Sequence, residues 1–214
     1  MRIVPEVTVL AHSAIRIRGP KTVYADPFHL TEEPHDADLI CITHDHYDHL
    51  SPEDIARAAG PGTWFVLPET CRESALKAGL PEERMLLMSP GEHLTWQGIV
   101  IEAVPAYNVG KKFHPQEKAW LGYVIEMLGR RYYIAGDTDN NEDVRHVRCH
   151  VALLPVGGTY TMTAAEAADL ANAIRPGVAV PTHYGDIVGN GGDAETFARL
   201  LDPRILCDFA KPEE

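Results

Sequence analysis

Short apolar runs recur along the chain, each closed by glycine, proline or a charged pair. In the first half, Val7–Leu10, Ala14–Arg18 and Lys21–Asp26 predict strands, with Gly19-Pro20 turning the second into the third. Asp38–Thr43 predicts a further, buried strand. Ser51 is placed to cap a helix with Pro52 at its first position, running to Ala59 and stopped by Gly60-Pro61-Gly62. A strand over Thr63–Leu67, a helix over Glu69–Ala78 closed by Gly79, and a strand over Arg84–Met88 follow. The second half opens on a hairpin, Glu92–Trp96 with Ile99–Val104. Leu121–Leu128 then pairs with Arg131–Ala135 across Gly129-Arg130. Val151–Pro155 and Val178–Pro181 predict buried strands, separated by a helix that Thr163-Ala164-Ala165-Glu166 opens as a capping box and that ends at Ile174. Asp193 is expected to cap a last helix through Leu201, and Ile205–Phe209 to close the chain.

Strands outnumber helices, many are hairpins, and helices interrupt them in both halves. Two sheets packed face to face and covered by helices satisfy that pattern, an α+β arrangement. With 214 residues and no linker or low-complexity stretch, a single domain over residues 1–214 is expected. A net charge of −12 argues against nucleic acid or an anionic membrane surface as partner and leaves a small-molecule substrate. No apolar run approaches the length of a membrane span. Cys41, Cys71, Cys149 and Cys207 have no Cys-x-x-Cys spacing, and Met1–Glu6 has no apolar leader core, so a reducing cytoplasm is the expected compartment.

The chemistry concentrates in Thr43-His44-Asp45-His46-Tyr47-Asp48-His49, directly behind the strand that ends near Ile42. Crowding imidazoles and a carboxylate at a strand end without a metal would add desolvation to like-charge repulsion. Neutral imidazole and carboxylate suit zinc, iron or manganese better than calcium or magnesium. Asp137 follows the apolar run ending at Ala135, and His183 follows the run ending at Pro181, so both occupy the same kind of strand-end position.

These residues resemble the metallo-β-lactamase superfamily, whose hallmark is His-x-His-x-Asp-His followed by later histidine and aspartate ligands. The resemblance extends to Leu10-Ala11-His12-Ser13, Ala135-Gly136-Asp137-Thr138, Pro155–Met162 and Pro181-Thr182-His183-Tyr184-Gly185. Within the superfamily the set is similar to a small single-domain branch that includes ascorbate-6-phosphate lactonase-like proteins. The resemblance implies a four-layer αββα sandwich and one or two divalent ions, zinc first, with manganese or iron as alternatives. It implies His44 and His46 at a first metal position, Asp48, His49 and His183 at a second, and Asp137 bridging. The family's middle histidine is missing, and Asn108 stands about where it belongs. Asn108, His114 or His12 could complete the first position, or it could be partly empty; His12 is weighed above His114.

The implied chemistry is hydrolysis by metal-bound hydroxide, with Asp48 as the catalytic residue orienting the water. Tyr184 and Tyr160 are candidate donors to a developing anion. A small, anionic ester, lactone or phosphodiester is the expected substrate, and Lys111-Lys112 is the one basic pair near the proposed site. An iron-dependent oxidoreductase is the alternative, disfavoured because His46 is retained where redox members tend to carry Glu. A non-catalytic metal-binding protein is a further alternative, disfavoured by the presence of both Asp48 and Asp137. A nuclease is weaker still, since basic stripes are lacking.

Overall fold

A computed structural model of the chain describes residues 3–127 and 129–208. Strands β1 (Val7–Ala11), β2 (Ala14–Arg18), β3 (Thr22–Ala25) and β4 (Ala37–Cys41) lead into helix α1 (Pro52–Ala58). Then come β5 (Ala59–Pro68), α2 (Arg72–Lys77), β6 (Met85–Met88), β7 (His93–Trp96), β8 (Ile99–Pro105) and β9 (Leu121–Met127). The chain continues through β10 (Arg130–Ile134), β11 (Val151–Pro155), α3 (Ala164–Ile174), β12 (Val178–Thr182), α4 (Gly191–Leu200) and β13 (Leu206–Cys207).

The strands form a six-stranded sheet in order β1-β2-β3-β4-β5-β6 and a seven-stranded sheet in order β13-β12-β11-β10-β9-β8-β7. Each sheet is antiparallel at one end and parallel at the other. β1, β2 and β3 alternate in direction and β3 to β6 run together; β7 to β10 alternate and β10 to β13 run together. Consequently β1, β3 and β4 all finish at one rim of the first sheet, and β8, β10 and β12 at one rim of the second.

Side-chain alternation along a strand explains the layering. Leu39 and Cys41 of β4 enter a core shared with Ile101, Tyr123, Ile134, Leu153 and Val180 of the other sheet. Ile40 and Ile42 point the opposite way, into a second core with Ile55 of α1 and Ala75 of α2. On the far sheet, Tyr133, Ala152 and Leu154 pack outward against Ala168 of α3 and Phe197 of α4. Three cores between four layers make an αββα sandwich, as the strand pattern predicts. Strands buried on both faces read as continuous apolar runs.

Local departures have local causes. α1 ends at Ala58 and β5 begins at once, so Gly60-Pro61-Gly62 lies within the strand. The Gly60 N–H donates to Thr63 Oγ1 at 2.8 Å, and that hydroxyl donates to the Ala37 carbonyl at 2.5 Å, bridging the irregular register between β4 and β5. The helix expected over Glu69–Ala78 splits into a 3₁₀ turn, Glu69–Cys71, and α2. α4 is capped by Asn190, with Asp193 as the reciprocal partner of a capping box, not as the cap itself. Leu128 and Phe209, the expected ends of two strands, lie outside the described residues.

Candidate metal centre

The strand ends that share each rim deliver the candidate side chains. His12 follows β1, Asp26 follows β3, and His44–His49 follow β4. From the other sheet, Asn108–His114 follow β8, Asp137 follows β10 and His183 follows β12. All of His12, Asp26, His44, Asp48, His49, Asn108, His114, Asp137 and His183 are buried.

Their ring nitrogens and carboxylate oxygens converge. His49 Nε2 lies 3.3 Å from Asp48 Oδ2 and 3.4 Å from Asp137 Oδ1. Asp137 Oδ2 lies 3.2 Å from both His114 Nε2 and His183 Nε2. His12 Nε2 is 3.5 Å from Asp48 Oδ2, and His44 Nε2 is 2.9 Å from His46 Nδ1. Three trios bring their donor atoms within 4.8 Å of one another: His44 with His46 and His114, His12 with Asp48 and His183, and His44 with His49 and Asp137.

A divalent ion fits this cradle. The Nε2 atoms of His12, His49, His114 and His183 and Asp137 Oδ1 are buried without a hydrogen-bond partner among the described residues. Such orphaned groups are costly unless something else satisfies them. Four donors set tetrahedrally about 2.0–2.1 Å from a zinc-type ion lie about 3.3–3.4 Å from one another. Five separations around Asp48 and Asp137, at 3.2–3.5 Å, match that spacing, and a sixth, His183 Nε2 to Asp48 Oδ2, is longer at 3.9 Å.

Surrounding groups fix which nitrogen is left free. Asp26 Oδ2 accepts from His49 Nδ1 at 2.7 Å and from Thr43 Oγ1 at 2.6 Å, while Asp26 Oδ1 accepts from the Thr43 N–H at 2.8 Å. Since the threonine hydroxyl donates to Asp26, its oxygen accepts from His44 Nδ1 at 3.0 Å. One carboxylate thereby directs the Nε2 lone pairs of both His49 and His44 into the centre. His12, Asp26, His114 and His183 have φ of 48°, 44°, 53° and 56°, a left-handed backbone that non-glycine residues adopt at a cost of about 1–3 kcal/mol each. Strain of this kind collects at functional sites.

The electrostatics suit ligation. Burial lowers the pKa of His44, His46 and His12, keeping these rings neutral and able to donate a lone pair. Burial opposes the charge on Asp48 and Asp137, yet neighbouring imidazoles outweigh it and hold both carboxyls below the usual range: His12 and His49 for Asp48, and His183, His49 and His114 for Asp137. Burial also opposes a charge on His49, but the carboxylates of Asp137 and Asp26 prevail and raise its pKa well above the ordinary value.

The structure brings His44, His46, Asp48, His49, Asp137 and His183 together, with His12 among them. Asn108 differs in that its amide nitrogen is engaged within its own loop and by Tyr160, while its Oδ1 is also buried without a hydrogen-bond partner among the described residues. Its amide Nδ2 donates to the Tyr160 carbonyl at 2.7 Å and lies 3.2 Å from His114 Nδ1, while its N–H donates to the His114 carbonyl at 2.8 Å. His114 instead points Nε2 into the centre, with Nδ1 3.2 Å from the Tyr160 carbonyl. The histidine weighed lower from sequence therefore stands with His44 and His46, and Asn108 meets it across the same loop. Tyr184 also departs from expectation: it packs against the core under α3 and α4 and lines a separate cavity that shares His12. Lys111, half-buried, is held by Asp139 Oδ1 at 2.5 Å and the Thr161 carbonyl at 2.6 Å, so its ammonium is committed within the protein, while Lys112 is exposed.

Sequence reasoning missed Asp26 and Trp120. Asp26 carried a usable signal, since it follows an apolar strand just as Asp137 does. Trp120, whose ring centroid is 4.8 Å from those of both His44 and His46, carried none.

Residues 6–183 match the family model described as Beta-lactamase superfamily domain. A relative from Aeropyrum pernix named UPF0173 metal-dependent hydrolase is 32% identical over 225 residues, covering 94% of this chain and 90% of its own. The chain belongs to the metallo-β-lactamase superfamily. Within that superfamily it belongs to the UPF0173 metal-dependent hydrolases. A second relative of that name, from Methanoculleus marisnigri, is 33% identical over 210 residues, covering 92% of this chain and 88% of its own. The solved structure of Igni18, described as a metallo hydrolase from Ignicoccus hospitalis, shares the fold with a TM-score of 0.80 at 24% identity, covering 97% of this chain and 95% of that one. The superfamily expectation thus agrees with the comparisons, which sustain the hydrolase family and not the ascorbate-6-phosphate lactonase-like branch. No helix among the described residues is long and apolar enough to cross a membrane.

Proposed function

We propose that this chain is a dinuclear hydrolase of a small ester, lactone or phosphodiester, acting as one domain over residues 1–214. The observation that carries the reading is the set of buried, partnerless donor atoms spaced 3.2–3.9 Å from the carboxylate oxygens of Asp48 and Asp137. His44, His46 and His114 would hold a first ion; Asp48, His49 and His183 a second, with His12 beside it; and Asp137 would lie between them. A bound zinc, or manganese or iron in its place, would acidify a water toward neutral pH and polarise the substrate oxygen.

The chain's own residues do the rest. Asp48, held ionised, accepts a hydrogen bond from the attacking water and orients it. His46, Asp48, His114, Asp137 and His183 form the polar floor of a cavity of about 270 Å³, into which the scissile group enters. Asp26 keeps His49 and His44 in the tautomers that face that floor. The acidity of the chain supports a small molecule over nucleic acid. Four free cysteines fit a reducing cytoplasm.

Metal content per chain by mass spectrometry, on protein purified without chelator or tag metal, tests the dinuclear centre, and two equivalents are expected. A panel of esters, lactones and phosphodiesters tests the activity. Turnover of none of them by the metal-loaded protein would refute the reading.

A further inference from the structure

The cavity over the metal centre has a polar floor and apolar walls. Tyr47, Phe113, Tyr160 and Ile187 line it above the histidines and carboxylates. Tyr47 is 68% exposed, Phe113 45% and Ile187 37%, so three of the large apolar side chains left open to solvent collect at this one mouth. They come from three unrelated segments: the loop after β4, the loop after β8 and the loop after β12. Two are braced. Phe113 meets Tyr160 edge-on with centroids 4.7 Å apart, and Tyr47 meets buried Phe28 edge-on at 5.9 Å. Exposed apolar groups that converge on a concave polar floor mark a ligand seat, since apolar surface on a soluble protein otherwise scatters.

Charge points the same way. Among the described residues no lysine or arginine lines the cavity. Of the basic pair on the loop after β8, Lys111 is paired with Asp139, and Lys112 is exposed and not among the residues that line the cavity. An anionic tail would find no protein cation there, against a chain of net charge −12.

We infer that the substrate is an uncharged ester or lactone whose acyl or alcohol part is aryl or branched alkyl and sits between Tyr47, Phe113 and Ile187. This rests on the hydrolase reading and names its substrate class. In the reaction the oxygen of water bonds to the carbonyl carbon, and the bond from that carbon to the alkoxy oxygen breaks. One water is consumed and the alkoxy oxygen takes up a proton, giving an acid and an alcohol from an ester or a single hydroxy acid from a lactone. The aromatic walls take no part in bond making; they select the tail.

The test separates tail recognition from turnover. Three hydroxamic acids with phenylpropanoyl, acetyl and succinyl tails share one metal-seeking head group, and each is titrated into the metal-loaded protein by calorimetry. The phenylpropanoyl compound is expected to bind at least about tenfold tighter than the acetyl one, because burying a phenyl ring adds apolar contact that a methyl lacks. The succinyl compound is expected to bind no tighter than the acetyl one. Phe113→Ser with Ile187→Ser should shrink the phenylpropanoyl-to-acetyl ratio toward one, with folding checked by thermal melting. Should that double variant unfold, Phe113→Leu serves, with a smaller drop in the ratio expected. Succinyl binding equal to or tighter than phenylpropanoyl, a ratio unmoved by the substitutions, or no binding by any of the three would overturn the inference. The para-nitrophenyl esters of the same acids give kcat/KM in parallel. Chelator-sensitive turnover without tail preference removes this inference and leaves the hydrolase reading. Tail preference with no turnover of any substrate supports the apolar seat and removes the hydrolase reading.

Discussion

Replacing Asp26 by Asn tests how the centre is held, at a residue outside the proposed ligand set. Asp26 is buried and accepts three hydrogen bonds, from His49 Nδ1, Thr43 Oγ1 and the Thr43 N–H. Asn keeps the shape and tolerates the left-handed backbone at φ 44°. It loses the charge, and it has one acceptor oxygen where Asp26 uses two. If the amide nitrogen faces His49 and Thr43, donor meets donor; if it faces the Thr43 N–H, the backbone is left unpaired. Either orientation strands a buried polar group at a cost of about 1–3 kcal/mol in folding stability. The same change releases the tautomers of His49 directly and of His44 through the Thr43 hydroxyl. Loss of such an orienting partner lowers metal affinity by about 10–100-fold, or about 1.4–2.7 kcal/mol. Competition against a fluorescent chelator measures the affinity, and thermal melting of the metal-free protein measures the stability. A folded Asp26→Asn protein whose metal affinity lies within about twofold of the wild type would refute the argument that Asp26 sets both tautomers.

Other substitutions probe separate links. His114→Ala should cost one metal equivalent per chain by mass spectrometry, whereas Asn108→Ala should keep both ions and only weaken one, because Asn108 braces the loop; equal losses would contradict that division. Metal affinity should rise with pH: His49, its pKa raised by Asp137 and Asp26, carries a proton in the metal-free protein that an ion must displace, so affinity gains about tenfold per pH unit below that raised value. The His49 contribution to metal-free stability runs the other way, complete below about pH 6.5 and lost as pH climbs through the raised value. A chelator titration flat between pH 6 and 8, a window of about two units that brackets the ordinary histidine value, would refute the displaced proton. Gly157→Ala should destabilise by about 1–3 kcal/mol and reduce occupancy at the ion that His183 serves, because a Cβ there would meet the His183 carbonyl oxygen at 2.2 Å. An unchanged melting temperature would show that the turn yields freely.

How much of this was legible beforehand depends on the range of the interaction. The apolar runs that predict β4, β11 and β12 are local patterns, and burial on both faces makes them continuous, so the layered architecture follows from them. The cluster His44 to His49 is equally local: the spacing of one short loop brings its donors together wherever the strand ends. Asp137 and His183 could be read because they repeat a rule, polar residue after apolar strand.

The rule had no power inside long loops. Choosing between Asn108 and His114 required knowing how residues 106–120 return to the rim, and that path is set by Asn108 and His114 meeting the Tyr160 carbonyl, about fifty residues further along the chain. Lys111 was claimed by Asp139 and Thr161 for the same reason, and Tyr184 was turned aside by the core under α3 and α4. Asp26 reaches His49 only because β3 and β4 lie side by side and parallel. The strands, the layers and the chemistry of the donors could be read from the residues alone, since each is set by neighbours in the chain. Only the folded chain shows which loop imidazole stands beside His44 and His46, which carboxylate orients His49, and that the mouth of the site is apolar, because loops carry no periodicity from which their contacts can be read.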